Sequence, residues 1–318
     1  MTSLPIERLT RLISASALLL VGLAVWSHLD GLAVRFGGTF GIPVSKHTFL
    51  LPPAIKLGLS DPVPAATAGP LVWTKAQDGF DIAWLDVIAD GSVIDGIALA
   101  RIDPSQHRFS VLYEPSGKKH LEDWMRDTGA ELIVNASYYD RGGKPATPAV
   151  DNGVVSGPPA YVSEHGAFVV KASRGDINDL RIDKWPILFD HAEAGLVSYP
   201  LLLAPDGTKR TAPSQWLANR SFIGVDNQGS VIIGTTQSAF FSLDRLADYL
   251  KTAIPDLKAA LNLDGGPVAS QAIAVGDVRR KIHGRWELQA QNGNGRLLPV
   301  AMFMTAPMPI VIAVFKRN

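Results

Sequence analysis

Apolar and polar positions alternate with period two along most of this chain, and only two stretches carry the 3.6-residue spacing of an amphipathic helix. Short apolar runs at 79–89 (with Phe80, Ile82 and Trp84 on one face), 97–103, 108–113, 131–134, 166–170, 222–226, 230–235 and 308–315 are bounded by turn residues and predict strands. Asp90-Gly91, Asp151-Asn152-Gly153 and Asn227-Gln228-Gly229 predict turns, the last two closing hairpins over 150–155 and 222–235. Residues 97–103 and 108–113 flank Pro104-Ser105-Gln106 and are expected to pair as a further hairpin. The run 196–204 (LVSYPLLLA) reads as a single apolar segment, and 171–189 as mixed loop and strand. A helix is predicted at 121–128, with Leu121, Trp124 and Met125 inward and Gly129 just past its C-cap. A second is predicted at 242–254, with Ser242 as N-cap, Leu243, Leu246, Ala247, Leu250 and Ile254 on one face, and Pro255 ending it. Many strands, few helices and no regular βαβ alternation predict an α+β fold built on a mixed, largely antiparallel sheet with a few packing helices.

The first 36 residues follow a different pattern. Arg8 and Arg11 precede an apolar run over 12–26 that breaks only at Ser14, Ser16 and Gly22. A positive flank and a short hydrophobic core are the marks of a signal anchor or a cleaved signal peptide. No clean small-residue cleavage site follows Trp26, which favours an uncleaved hydrophobic helix in the membrane; a buried amphipathic helix is the alternative. Either membrane reading places the folded part outside the cytoplasm. Residues 37–70 hold Pro43, Pro52, Pro53, Pro62, Pro64 and Pro70 and are expected to be an extended tether, so that the folded domain runs over 71–318.

Composition narrows the function. Thirty basic and thirty acidic residues balance, and no basic run is interleaved with aromatics, which argues against a nucleic-acid partner. Cysteine is absent, so disulfides, thiolate metal sites and a cysteine nucleophile are excluded. The seven histidines form no HxxxH or HExxH spacing, so no zinc site is expected; no metal-ligating residue and no cofactor is predicted, and a divalent ion is left open. Neither GxSxG nor a phosphate-binding glycine loop occurs. The strongest local signal lies at 257–270 (LKAALNLDGGPVAS), where an alternating strand runs into Asp264-Gly265-Gly266. An acid at the mouth of a strand, followed by a loop without side-chain bulk, suits a polar ligand; an ordinary turn with a solvated aspartate is the alternative. Residues 131–134 end in a comparable polar loop, Asn135-Ala136-Ser137-Tyr138-Tyr139-Asp140.

Three blocks occur in order: LIVNASYY (132–139) with KPATPAVDNG (144–153); SYPLLLAPDG (198–207) with NRSFIGVD (219–226); and the helix at 242–254 followed by LNLDGG (261–266). Together these resemble the phosphodiester glycosidase family, whose animal member removes N-acetylglucosamine from a mannose-6-phosphodiester. The resemblance spans roughly residues 80–270. It implies a glycan or sugar-phosphate substrate cleaved outside the cytoplasm in a cell-surface glycan. It further implies that Arg220 holds the phosphate, Asp264 serves as nucleophile or base, and Asn135 bonds a sugar hydroxyl or phosphate oxygen. Gly265, Gly266, Tyr138 and Ser270 would line the substrate, the glycines through their N–H groups and Tyr138 by stacking on a sugar. Asp140, Asp151, Glu164 and Asp226 are open choices for a second acid, and His165 for a proton donor. Two departures separate the chain from the family pattern: Asn-Ala-Ser replaces Asn-Gly-Gly at 135–137, and Pro267 stands where a third glycine is expected. They leave open a non-catalytic module of the same fold that binds envelope polysaccharide or a partner protein.

Overall fold

A computed structural model describes residues 42–43, 51–140, 142–159, 165–291, 294–299 and 306–317. The predicted N-terminal membrane helix, the start of the tether and Glu164 lie outside the described residues. Among the described residues no helix is long and apolar enough to cross a membrane.

The fold is α+β, with four sheets and a few helices. Every strand pairing among the described residues is antiparallel, so the expected mixed sheet is replaced by purely antiparallel ones. The largest sheet has eight strands, with Leu257–Asn262, Ser221–Asp226, Val231–Thr236, Ser92–Ile102 and Phe80–Ala89 adjacent in that order. Its central strands are apolar on both faces because each face has its own core. Along Ser221–Asp226, Phe222 points to the side covered by helix Leu243–Ala253, where Leu246, Ala247 and Leu250 meet Leu85, Leu99 and Ala260. Ile223 and Val225 point to the other side, where Phe109, Leu132, Val134 and Phe168 arrive from two five-stranded sheets. Alternation within one strand thus welds three sheets and a helix together.

Local signals survive well. Helix Leu121–Thr128 ends at Gly129, which takes the left-handed conformation, and helix Leu243–Ala253 begins after Ser242. The 150–155 and 222–235 hairpins form as expected. Four expectations change. Residues 97–102 and 107–113 do not pair; Ser92–Ile102 lies between Phe80–Ala89 and Val231–Thr236, while His107–Tyr113 pairs with the C-terminal strand Ile310–Lys316 in another sheet. The 196–204 run splits into Ala194–Ser198 and Leu201–Leu203, which belong to different sheets, because Pro200 has no N–H with which to continue a ladder. Trp84 is 40% exposed and lies across Gly96, where a Cβ would come within 2.3 Å of its ring; the buried face at that point is Ala83, Leu85 and Val87. Finally, the segment expected as an extended tether is partly packed structure: Pro53–Gly58 is helical with Ala54 and Ile55 buried, and Thr67–Ala68 pairs with the 80–89 strand.

Candidate functional site

Strands Ser221–Asp226 and Leu257–Asn262 run antiparallel with Phe222 opposite Asn262. Carrying that register two residues further brings Arg220, just before one strand, beside Asp264, just past the other. The main chain confirms the continuation, since Leu263 N–H donates to Ser221 O at 3.0 Å. Asn135 comes from a different sheet. Its strand Leu132–Asn135 pairs with Gln271–Val275, and the ladder is extended by Asn135 N–H donating to Ser270 O at 3.2 Å. The two sheets are stitched together at this corner by Asp264 N–H donating to Ala136 O at 3.0 Å. Asn135, Arg220 and Asp264 therefore share one corner of the molecule.

Each has a distinct environment. The Asn135 side chain is buried; its Oδ1 accepts from Ser270 N–H at 3.1 Å and its Nδ2 donates to Asp264 O at 2.7 Å. It clamps the start and end of the 264–270 loop and, with both amide ends engaged, is a positioning residue, not the substrate-bonding group the sequence suggests. Arg220 is also buried. Nη2 donates to Trp216 O at 2.6 Å and Nε to Phe241 O at 3.3 Å. Burial lowers its pKa, while Tyr138, Glu287 and Asp264 act in the opposite direction. Two main-chain carbonyls thus fix the guanidinium plane, and Nη1 lies only 3.2 Å from where a Cβ on Gly265 would sit. Asp264 is half-buried, with its carboxyl hemmed in by protein. Burial pushes it up to about 8, Glu287 adds to the rise, and the Gly265 N–H and Arg220 oppose it. Burial and Glu287 both favour its protonated form, the direction a proton donor needs.

The glycines act differently from expectation. Gly265 N–H donates to the Asp264 carboxyl at 2.9 Å and Gly266 N–H to Asn219 O at 2.8 Å, while Pro267 has no N–H to offer. Both amides are engaged within the protein, one inside the loop and one across to Asn219. Gly266 sits at φ +69°, and a Cβ there would lie 2.8 Å from Glu287 Oε2, so its smallness admits a carboxylate.

Tyr138 stacks on Tyr199 at 4.2 Å, and Tyr199 on His165 at 4.5 Å. The Tyr138 ring therefore packs within the protein, where sugar stacking was expected. Asn262 Nδ2 donates to Tyr138 Oη at 2.8 Å and to Tyr199 O at 2.9 Å, which holds the pair in place. Burial and the Asp264 charge raise all three phenols, Tyr138, Tyr139 and Tyr199. The other carboxylates considered have structural duties. Asp140 accepts from Gly142 and Lys144 N–H, Asp151 from Val111 N–H, and Asp226 from Gln228 and Ser230 N–H. Glu287, Tyr199, Asn262 and Asn219 are the site residues the sequence did not single out. Glu287 stands in a strand beyond the last recognisable block and reaches the site only through the pairing of Trp286–Gln291 with Trp216–Ala218, a contact with no local signal. Among the described residues no group of three or more acidic or histidine side chains is placed to hold a metal.

The family model for phosphodiester glycosidase matches residues 128–302, more than half of the chain, and takes in Asn135, Arg220, Asp264 and Glu287. The chain belongs to this family. Its fold is similar to that of the zebrafish N-acetylglucosamine-1-phosphodiester alpha-N-acetylglucosaminidase catalytic domain, auto-inhibited by its pro-peptide, at 13% identity and a TM-score of 0.54, covering 80% of this chain and 89% of that one. A hypothetical protein from Synechocystis is similar at 18% identity and a TM-score of 0.49, with 78% of this chain covered. This chain spans 64% of the length of that protein. No curated protein matches the chain.

Proposed function

We propose that this phosphodiester glycosidase family member hydrolyses a sugar-1-phosphodiester in a cell-surface glycan, with its folded domain outside the cytoplasm and its N-terminal segment as membrane anchor. The observation that carries the reading is the meeting of Arg220 and Asp264 at one end of a single strand pair, where burial raises the carboxyl. Cleavage of the sugar–oxygen bond leaves charge on the departing phosphate oxygen and positive charge on the ring. Arg220, held rigid by Trp216 and Phe241, supplies a fixed cation at the phosphate. Asp264 gives its proton to the leaving oxygen.

The test is the release of free sugar and phosphate monoester from a panel of synthetic sugar-1-phosphodiesters, N-acetylglucosamine among them. The wild type is expected to turn over at least one, and Asp264→Asn to lose that turnover while keeping its melting temperature. Turnover by Asp264→Asn at the wild-type rate removes the mechanism. Topology is tested by protease treatment of cells whose outer layers are removed but whose inner membrane is intact, where cleavage of the folded domain only after lysis contradicts a location outside the cytoplasm.

A second reading, a non-catalytic glycan-binding module, draws on the engaged amides of Gly265 and Gly266 and on Pro267, which leave the loop without a row of free N–H groups for phosphate. It requires binding to glycan with no product released from any member of the panel.

A further inference from the structure

We propose that Glu287 is the second carboxylate of this site, taking a proton from the attacking water while Asp264 gives one to the departing phosphate oxygen; this rests on the hydrolase reading above. Three features of the structure support it. First, Glu287 is placed by a dedicated scaffold. Its strand pairs with Trp216–Ala218 so that Glu287 lies opposite Ala218, two residues before Arg220. Asn219 then locks the strand start: its Oδ1 accepts from Arg285 and Trp286 N–H, both at 2.9 Å, and its own N–H donates to Trp286 O at 2.9 Å.

Second, the loop after Asp264 is shaped around this carboxylate. Gly266 has a left-handed backbone that favours glycine, and any side chain there would meet Glu287 Oε2. The same residue hydrogen-bonds through its N–H to Asn219 O, so one amide-bearing hub holds both the loop and the strand. Third, Glu287 acts electrostatically on Asp264, Arg220 and Tyr139 together. The groups that act electrostatically on Asp264, or on which it acts, are Glu287, Arg220, Tyr138, Tyr139 and Tyr199, and the Gly265 N–H donates to it.

The chemistry balances with water as the only co-reactant. Water oxygen bonds to the anomeric carbon as the carbon–oxygen bond to phosphate breaks, and the bond pair leaves with the phosphate oxygen. Glu287 carboxylate takes the water proton and Asp264 carboxylic acid protonates the phosphate monoester. Return of the proton from Glu287 to Asp264 resets the pair.

The test compares the full-length wild type with Glu287→Gln and Asp264→Asn on two substrates of one sugar: the best phosphodiester of the panel and its 4-nitrophenyl glycoside, whose leaving group needs no proton. Glu287→Gln is expected to lower kcat about 10³-fold on both, with KM within about threefold. Asp264→Asn is expected to fail on the phosphodiester and to retain the aryl glycoside. Carboxyl ¹³C NMR supplies a readout independent of turnover: the Asp264 titration should move down in Glu287→Gln. Should Glu287→Gln not fold, Glu287→Asp, which keeps the charge but withdraws it, is expected to hold the Asp264 titration and lose kcat. Wild-type kcat in Glu287→Gln, or an unmoved Asp264 titration, overturns the assignment while leaving the hydrolase reading intact. A wild type that turns over no substrate removes both.

Discussion

Asp226 and Asp264 lie at opposite ends of the ladder formed by Ser221–Asp226 and Leu257–Asn262, and their surroundings differ in kind. The Asp226 carboxylate accepts from Gln228 N–H at 2.9 Å and Ser230 N–H at 2.8 Å, closing the hairpin turn. The Asp264 carboxyl receives one N–H, from its own neighbour Gly265, and is raised by the charge of a second carboxylate, Glu287. One aspartate is satisfied by the backbone that follows it; the other is left under-solvated where Arg220 and Glu287 converge. A residue type at a strand end therefore indicates nothing about chemistry until its hydrogen bonds are counted.

The sharpest way to break this contrast is to neutralise both acids in turn. Asp264→Asn should cost roughly 10³-fold or more in kcat, and Asp226→Asn less than about threefold, measured on the same phosphodiester. The same pair separates them in stability. Asp264, raised to about 8 in the folded protein, favours the fold while protonated, so its contribution is full below the unfolded value of 3.8 and is lost as pH rises through about 8. Thermal melts should show wild-type stability falling across that window and a flatter curve in Asp264→Asn. A residual slope is expected from Asp95, which burial raises to about 7 and which titrates with the same sign.

Next in size is Arg220→Lys. An ammonium cannot reproduce the planar fork that meets Trp216 O and Phe241 O, so kcat/KM should fall about 10²-fold and stability by about 1–3 kcal/mol, read by activity and denaturant titration. Gly266→Ala follows, with about 1–2 kcal/mol of backbone strain at φ +69° and displacement of Glu287, so that activity falls more than the melting temperature suggests. Smallest is the stability effect of Asp226→Asn, about 1 kcal/mol from a weakened turn.

Elements defined by neighbouring residues were legible before any coordinates. Helix 121–128 declares itself by spacing and Gly129, and the 222–235 hairpin by Asn227-Gln228-Gly229. Asp264 and Arg220 could be proposed because each sits at the mouth of a recognisable strand. What could not be read is partnership at a distance. The strands at 97–102 and 107–113 are adjacent in sequence but belong to different sheets because each finds a better apolar face elsewhere. Asn135 is legible as a polar strand end, yet its amide meets main-chain atoms, and only the hydrogen bonds reveal that. Glu287 carries no turn, cap or glycine signal; its significance comes from Ala218 lying opposite it, in a pairing 69 residues apart in sequence that periodicity cannot foresee.

Asn219 draws together what the rest of the corner depends on. Its Nδ2 donates to Thr236 O and Ser238 O, both at 3.1 Å, its Oδ1 accepts two amides from the 285–286 segment, and its carbonyl accepts from Gly266. Three remote lengths of chain consequently share one keystone and shift as a block. Efforts to retune this protein toward other substrates would do best to vary the rim around Tyr139 and Tyr199 and leave position 219 alone, because a change there would detune every reacting group at once.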